Sequence, residues 1–168
     1  MSVFATPLLQ TIDDLAAGAG ALRERRYGVI ETHAGALAGV RLRPWPHLLC
    51  WPEVWPVGPD WRPPGPPDRC RLYYNQPRGH GRFLALRYVA CTAGTSYRTF
   101  TKALDTLDAI AAIKRSDALL CDASTDRLSD RFLRRRGWEP HAPAWRRRNY
   151  IRRFYGVYPP AALAAAGC

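Results

Sequence analysis

The stretch Arg82-Phe-Leu-Ala-Leu-Arg-Tyr-Val-Ala-Cys91, with the residues just before it, decides the fold. It follows a shorter apolar segment, residues 70–75, across Gln76-Pro-Arg-Gly-His-Gly81, a loop made of turn-forming residues. Two strand-like segments joined by such a loop predict an antiparallel β-hairpin. The other elements are predicted outward from this hairpin.

Toward the C-terminus the pattern changes from strand to helix and back. Residues 100–115 carry one apolar stripe at helical spacing, made of Phe100, Leu104, Leu107, Ile110 and Ala111. A short apolar run at 118–123 predicts a buried strand. Residues 126–136 predict a second helix that ends at Gly137, and residues 150–154 predict a last strand.

The N-terminal third predicts a helix followed by two strands. Apolar residues recur at helical spacing over residues 6–22, which open on a Thr-Pro pair suited to a helix start. Residues 27–33 and 38–43 predict two short strands around a turn at Gly35.

Residues 44–67 differ in kind, because they hold nine of the 15 prolines and four of the six tryptophans. Proline excludes regular helix over most of this stretch. The aromatic content predicts an extended, polyproline-like strap packed on the domain. The alternative is that these aromatics line a groove for a substrate or peptide.

Length and composition predict one domain. At 168 residues, 47% of them hydrophobic, the chain can bury a single core. We predict one domain over residues 1–158 and a loose C-terminal tail over 159–168. The predicted fold class is α/β in the layered α+β sense, with a central mixed, mainly antiparallel sheet and helices on both faces. Without a long apolar run or a signal-like start, the sequence predicts a cytoplasmic protein.

Cysteine and histidine spacing predicts no metal site. The five cysteines are irregularly spaced, and the four histidines are far apart. Cys91 and Cys121 fall in strand-like apolar runs, so we expect buried, reduced thiols. A nucleophilic role for either thiol would need a nearby histidine.

Arginine dominates the charge of the chain. Formal net charge is +11, and only Lys102 and Lys114 are lysines. Arginine forks suit phosphate and carboxylate groups, so a nucleic acid, a phosphorylated cofactor or an acidic protein is one interpretation. A GC-rich coding bias, which raises Arg, Ala, Gly and Pro together, is the other.

Residues 70–155 resemble the GNAT N-acetyltransferase superfamily. The segment Asp126-Arg-Leu-Ser-Asp-Arg-Phe-Leu-Arg-Arg-Arg-Gly-Trp-Glu139 is similar to its signature of a polar residue, a short helix and Gly-aromatic-Glu. The predicted order of strands and helices over this half of the chain is also similar. A further similarity, to small bacterial proteins that share a Gly-Trp-Glu-Pro-His segment, implies no function.

The resemblance implies a site for acetyl-CoA or another acyl-CoA between strands 82–91 and 118–123. The pyrophosphate would lie on the N-terminus of helix 100–115, where unpaired amides attract phosphate. The residues implied to bind this cofactor are Val89, Cys91, Arg98, Thr99, Thr101 and Lys102. The resemblance thus implies a GNAT-like fold with an N-acyltransferase activity.

The implied reaction transfers an acyl group to an amine of a small molecule or a protein. His141 lies with Glu139 near the strand end where the resemblance implies the substrate, so His141 is the first candidate general base. Its alternative is a surface histidine in a proline-rich turn. Thr99 and Thr101 replace family glycines, and Leu133 replaces a tyrosine acid, so altered cofactor binding and its loss are both open.

Nine arginines fall within residues 131–153, interleaved with aromatic residues. This mixture resembles surfaces that hold single-stranded nucleic acid. A second hypothesis is therefore a non-catalytic basic module whose partner is nucleic acid or an acidic protein, and no membrane. The residues expected to hold that anionic partner are Arg131, Arg134, Arg135, Arg146, Arg147 and Arg148. A solvated basic face is the simpler interpretation.

Overall fold

The computed structural model describes residues 9–46, 64–123, 128–141 and 148–167. These ranges contain eight strands: β1 Gln10–Ile12, β2 Tyr27–His33, β3 Ala36–Arg43, β4 Arg69–Asn75, β5 Phe83–Cys91, β6 Ala118–Ala123, β7 Glu139–His141 and β8 Arg148–Arg153. They also contain four helices: α1 Ala19–Glu24, α2 Tyr97–Ile113, α3 Asp130–Arg135 and α4 Pro160–Ala166.

The eight strands form one sheet in the order β1-β3-β2-β4-β5-β6-β8-β7. Neighbouring strands are antiparallel except β5 and β6, which are parallel with α2 as their crossover. The predicted mixed, mainly antiparallel sheet with helices is therefore confirmed. So are the hairpin of β4 and β5, the strands β2 and β3, and the buried strand β6.

The core lies between the sheet and α2. Leu72, Leu84 and Leu119 of the sheet and Leu107 and Ile110 of α2 have no exposed surface. Alternate residues along each strand point to this side, as half-buried strands require. Helices α1, α3 and α4 each place an apolar side chain in the same cluster. The four described helices thus share one layer, on the α2 side of the sheet. The described residues place no helix on the other face, where the prediction of helices on both faces required one.

The predicted helix over residues 6–22 is wrong where the structure describes it. Residues 10–12 are strand β1, paired with β3, and the helix begins only at Ala19. The Asp14 carboxylate accepts hydrogen bonds from the amides of Ala16, at 2.8 Å, and Ala17, at 3.1 Å. An aspartate in that role starts a turn, so helical geometry begins after it rather than at the Thr-Pro pair.

Helices α2 and α3 begin at other residues than predicted. Helix α2 begins three residues earlier than expected, because Ser96 caps it by accepting from the Thr99 amide at 3.2 Å. Helix α3 is capped in the same way by Ser129, and residues 124–127 lie outside the described ranges. Gly137 follows it with φ of +79°, which confirms the predicted stop.

The C-terminal segment is a helix, not the predicted loose tail. Helix α4 has Pro160 at its start and ends at Gly167, which adopts a left-handed conformation. Ala162 and Ala166 are buried, since small side chains let α4 pack closely on α2. Alanine also has the highest helix propensity, a signal that outweighed the terminal position.

Most of the predicted Pro/Trp-rich strap, residues 47–63, lies outside the described ranges. At its C-terminal side, the Pro66 carbonyl accepts a hydrogen bond from the Thr92 hydroxyl at 2.9 Å. No described helix is long and apolar enough to cross a membrane.

Candidate functional site

Strands β5 and β6 pair with each other along only part of their length. They pair in parallel from Phe83 with Ala118 to Leu86 with Cys121. Beyond that point β5 continues to Cys91, but no further β6 residue pairs with it. A gap therefore opens between the carboxyl ends of two parallel strands, as the resemblance implies.

A β-bulge sits where the gap begins. Tyr73 of β4 lies opposite Tyr88, and Tyr74 lies opposite Leu86, so Arg87 is an extra residue in β5. A bulge bends its strand and increases the local twist, and bulges are common beside active sites. The bulge at Arg87 coincides with the end of the β5–β6 ladder.

The other edge of β5 stays fully paired. Its ladder with β4 runs to the pair of Cys70 and Cys91. In an extended strand, successive backbone groups point to opposite edges. The edge of residues 87–91 that faces β6 therefore has no ladder with β6.

The side chains at the gap are apolar or sulfur-containing. Val89 and Cys91 are partly buried and pack against the core on the α2 side. Cys91 Sγ lies 3.5 Å from Cys70 Sγ, and this contact and burial raise the pKa of the Cys70 thiol. Burial likewise raises the pKa of Cys121 to about 12. Cys70 and Cys121 are thus protonated, which argues against a thiolate nucleophile at either position.

The N-terminus of α2 already holds an internal carboxylate. Asp68 Oδ1 accepts a hydrogen bond from the Ser96 amide at 2.7 Å. That bond, with a side-chain bond from Thr99, lowers the pKa of Asp68, so it stays ionised. An anion of the protein itself therefore lies against the helix end where the resemblance implies a pyrophosphate.

Two residues implied to bind the cofactor contact the β2–β3 turn instead. Thr99 is fully buried; its hydroxyl accepts from the Gly35 amide at 2.7 Å, and its carbonyl accepts from the Thr32 hydroxyl at 2.9 Å. The Arg98 side chain lies over Gly35, whose backbone has φ of +80°. A Cβ atom there would meet Arg98 Nε at 2.6 Å.

The remaining two lie farther along α2. Lys102 is partly buried, and the Thr101 hydroxyl is buried with no hydrogen-bond partner among the described residues.

Tyr97 and Arg98 are the first residues of the helix, and their amides have no intrahelical acceptor. Among the described residues neither amide has a hydrogen-bond partner, so both can donate to an anion.

An aromatic cluster joins the start of α2 to α3. The Phe132 ring packs 5.8 Å from the Tyr97 ring in an edge-on arrangement and 5.7 Å from the Phe100 ring. Phe132 comes from the helix that follows β6, and Phe100 from the helix that follows β5. The cluster therefore spans the two chain segments that diverge at the gap.

The residues present fit one part of an acyl-CoA molecule better than the other. Beyond Leu86, β5 remains an extended strand without a ladder to β6, a geometry that suits the two amide groups of a pantetheine arm. At the α2 terminus, two open amides and the exposed Arg98 favour a diphosphate, while the nearby Asp68 carboxylate opposes it. The gap therefore fits the pantetheine arm. The start of α2 fits a diphosphate less well, because the Asp68 carboxylate repels it.

The two candidate catalytic residues lie on the edge strand β7. His141 is exposed and pairs with Asn149 of β8, which in turn pairs with Asp122 of β6. Glu139 is exposed and forms an ion pair with Arg153. His141 is therefore at the same end of the sheet as the gap but two strands from β6, on the order of 10 Å across.

Sequence reasoning missed a polar cluster beside the gap. Tyr150 is buried next to Cys121, its hydroxyl donates to Asp130, and Arg148 Nη1 lies 2.6 Å from Asp130 and 3.3 Å from that hydroxyl. Burial, with the bond to Asp130, raises the pKa of Tyr150, so its phenol holds its proton. The alternating pattern of β8 could have predicted that Tyr150 points inward. Its partner Asp130 could not be predicted, because it lies on α3, 20 residues away in the sequence.

The predicted anionic-partner face is only partly present in the described residues. Arg131, Arg134 and Arg135 are exposed on α3. Arg148 instead bonds to Asp130 and to the Leu128 carbonyl, and Arg146 and Arg147 lie outside the described ranges. In the described part of the chain, no three His, Cys, Asp or Glu side chains cluster as a metal site would require.

Comparison with known proteins adds little to this geometry. No protein-family model matches the sequence, and no curated protein matches it. Among solved structures, the chain is similar to the crystal structure of nourseothricin acetyltransferase, with a match probability of 0.98 and 12% sequence identity. The match covers 87% of this chain and 98% of that one, with a TM-score of 0.37. The functional argument therefore comes from the strand geometry.

Proposed function

We propose that the protein is a GNAT-like N-acyltransferase that moves an acyl group from acyl-CoA to an amine. The observation that carries the proposal is the end of the β5–β6 ladder at Leu86 and Cys121, beside the bulge at Arg87. Beyond this point the facing edges of β5 and β6 form no ladder with each other, which leaves a slot between two parallel strands. An extended chain of amides, such as the pantetheine arm, can complete such an edge with backbone hydrogen bonds.

The chemistry asked of the site is modest. A neutral amine attacks the thioester carbonyl, a C–N bond forms, and the C–S bond breaks. The amine loses one proton, and the departing thiolate gains one. The chain must hold the thioester still, accept the first proton and supply the second.

Two side chains are proposed for the proton steps. His141 is the candidate base, since it is exposed at the sheet end that holds the gap, and Glu139 is its neighbour on the same strand. Tyr150 is the candidate acid, because its protonated phenol lies on the row of Cys121 where the slot begins. Tyr150 thus takes the role that Leu133, buried in the core, cannot perform.

Binding of acetyl-CoA is the first test. At a concentration about 100 times its dissociation constant it adds about 2.7 kcal/mol to the free energy of unfolding, which raises Tm by about 5–10 °C. Differential scanning fluorimetry measures this shift. An unchanged Tm across acetyl-CoA and longer acyl-CoA esters contradicts the proposal.

A matched pair of variants locates the binding. Val89 lies on the α2 side of β5 and Tyr88 on the other side. Val89→Trp fills the slot, so we expect it to abolish the acetyl-CoA-induced shift. Tyr88→Trp adds a similar ring to the same strand and keeps the shift. Equal shifts in both variants show that acetyl-CoA binds elsewhere.

His141→Gln tests the candidate base once an amine acceptor is identified. We expect kcat to fall about 100-fold while the acetyl-CoA-induced shift is retained. His80→Gln, which alters another exposed histidine in the β4–β5 loop, is the control with unchanged kcat. A kcat for His141→Gln equal to that of the control removes His141 from the mechanism.

The second candidate function is a non-catalytic module for nucleic acid or an acidic protein. It is favoured by the exposure of Arg131, Arg134 and Arg135 on one short helix. Affinity for a single-stranded oligonucleotide that falls steeply with salt supports it, and a flat salt response contradicts it.

A further inference from the structure

A second candidate site lies at the opposite end of the sheet. A cavity of about 440 Å³ is lined by residues at the end of α1, the start of β2, the end of β3 and the β4–β5 loop. These residues are Glu24, Arg25, Arg26, Tyr27, Arg43, Pro44, Arg78 and Gly79. Because β4 and β5 are antiparallel, this loop is at the far end of β5 from the gap.

The cavity carries a concentrated positive charge. Four of its eight lining residues are arginines, against one glutamate. Arg25, Arg26 and Arg78 form no ion pair with any described residue. On the neighbouring strands, by contrast, Arg41, Arg69 and Arg71 all bond to Glu31. Arg25, Arg26 and Arg78 therefore give this concave surface a positive potential that attracts anions.

The backbone around the cavity is held by the sheet. Tyr27 and Arg43 are direct partners in the β2–β3 ladder, and the Arg26 carbonyl accepts from the Gln76 amide at 2.8 Å. Gly79, with φ of +75°, forms the turn that presents Arg78. Arg25 and Arg26, after α1, and Arg78, in the β4–β5 loop, therefore converge on one space from two separate chain segments.

The positive charge at the cavity also affects Lys114, a partly buried lysine next to it. Lys114 Nζ donates to the Gln76 side chain at 3.0 Å and to the Arg23 carbonyl at 3.2 Å. Burial, and to a lesser extent the charge of Arg26, lowers the pKa of Lys114 to about 8. A bound anion next to Arg26 would offset this effect.

We propose that this cavity binds a small molecule with a chain of two or more phosphate groups, of the nucleoside diphosphate or triphosphate class. A single carboxylate or phosphate can bridge one or two guanidinium groups, whereas a phosphate chain can bond at once to Arg25, Arg26 and Arg78, which lie on two separate segments. The volume is within the range of pockets for ligands of this size. Tyr27 and Pro44 supply apolar surface for a ring.

Calorimetric titration at constant ionic strength tests the proposal, with AMP, ADP, ATP and inorganic tripolyphosphate as probes. We expect affinity to increase from AMP to ADP to ATP. Tripolyphosphate binding equal to ATP assigns recognition to the phosphates alone, and tighter ATP binding adds contacts to the base; both support the site. Failure of ATP and tripolyphosphate to bind overturns it, as does AMP binding equal to ATP.

Variants locate the site. Arg26 and Arg78 are exposed, so the double variant Arg26→Gln/Arg78→Gln should fold normally, with an unchanged circular dichroism spectrum. We expect it to weaken ATP binding at least about tenfold. The control Arg131→Gln/Arg134→Gln removes the same charge from α3 and keeps the affinity. Equal weakening of ATP binding in both variants overturns the proposal. So does displacement of ATP by an oligonucleotide that has no terminal phosphate.

Discussion

The two edges of β5 behave differently along the same residues. Toward β4, the ladder continues past the bulge to Cys91. Toward β6, it stops at Leu86. One extra residue, Arg87, lets the strand keep one partner while it leaves the other, so the gap is built into the register and needs no separate loop or insertion.

Helix α2 spans this asymmetry and is tied down on both sides of it. On the β2 side, Thr99 bonds to Thr32 and to Gly35. On the β8 side, Arg152 Nη1 lies 3.0 Å from Asp108 Oδ2, with both side chains largely buried. Helix α2 is therefore fixed by contacts of the protein itself on both sides of the gap.

Deletion of Arg87 is expected to have the largest effect. Without the extra residue, Tyr88 follows Leu86 directly, so the β4–β5 ladder becomes regular while Val89 and Cys91 stay on the core side. The loss of the bulge is expected to close the gap, so the variant folds but loses the acetyl-CoA-induced rise in Tm, measured by differential scanning fluorimetry.

Arg87→Ala is the matched control for that deletion. It keeps the register and changes an exposed side chain, so stability should stay within about 0.5 kcal/mol. If the deletion keeps the same acetyl-CoA-induced rise in Tm as Arg87→Ala, the bulge does not shape the gap.

The buried ion pair on the β8 side gives a pH-dependent effect of intermediate size. Burial raises the pKa of Asp108 from 3.8 to about 6. The negative charge of Asp105 raises this pKa further, and the positive charges of Arg152 and Arg136 lower it by less than burial raises it. The folded state therefore binds a proton that the unfolded state has lost, so this stabilising contribution disappears as pH rises from about 4 to 6.

Asp108→Asn removes that titration. We expect the stability difference, wild type minus variant, to fall by about 2–3 kcal/mol between pH 4 and pH 7, measured by urea denaturation across the range. Parallel stability curves for the two proteins contradict the assignment.

Asp68→Asn should have the smallest effect, confined to binding. The substitution keeps an oxygen that can accept from the Ser96 amide but removes the negative charge at the α2 terminus. If a diphosphate binds there, affinity for acetyl-CoA rises about fivefold, with Tm of the free protein little changed. Unchanged affinity places the diphosphate away from α2.

Local signals in the sequence predicted the elements but not the contacts that shape the site. The apolar stripe of α2 and the stop at Gly137 depend on neighbouring residues, and both are confirmed. The bulge at Arg87 depends on which β4 residue lies opposite, and the Asp68 cap joins residues 28 positions apart. Register and long-range capping are set by tertiary pairing, which periodicity does not encode.

Amide hydrogen exchange along β5, followed by NMR, tests the central claim most directly. The account predicts that Leu84 and Leu86 exchange slowly, that the β6-facing amides among residues 87–91 exchange fast, and that acetyl-CoA slows the fast ones. Fast exchange that acetyl-CoA leaves unchanged contradicts its binding in the slot. Slow exchange throughout β5 in the ligand-free protein contradicts the gap itself.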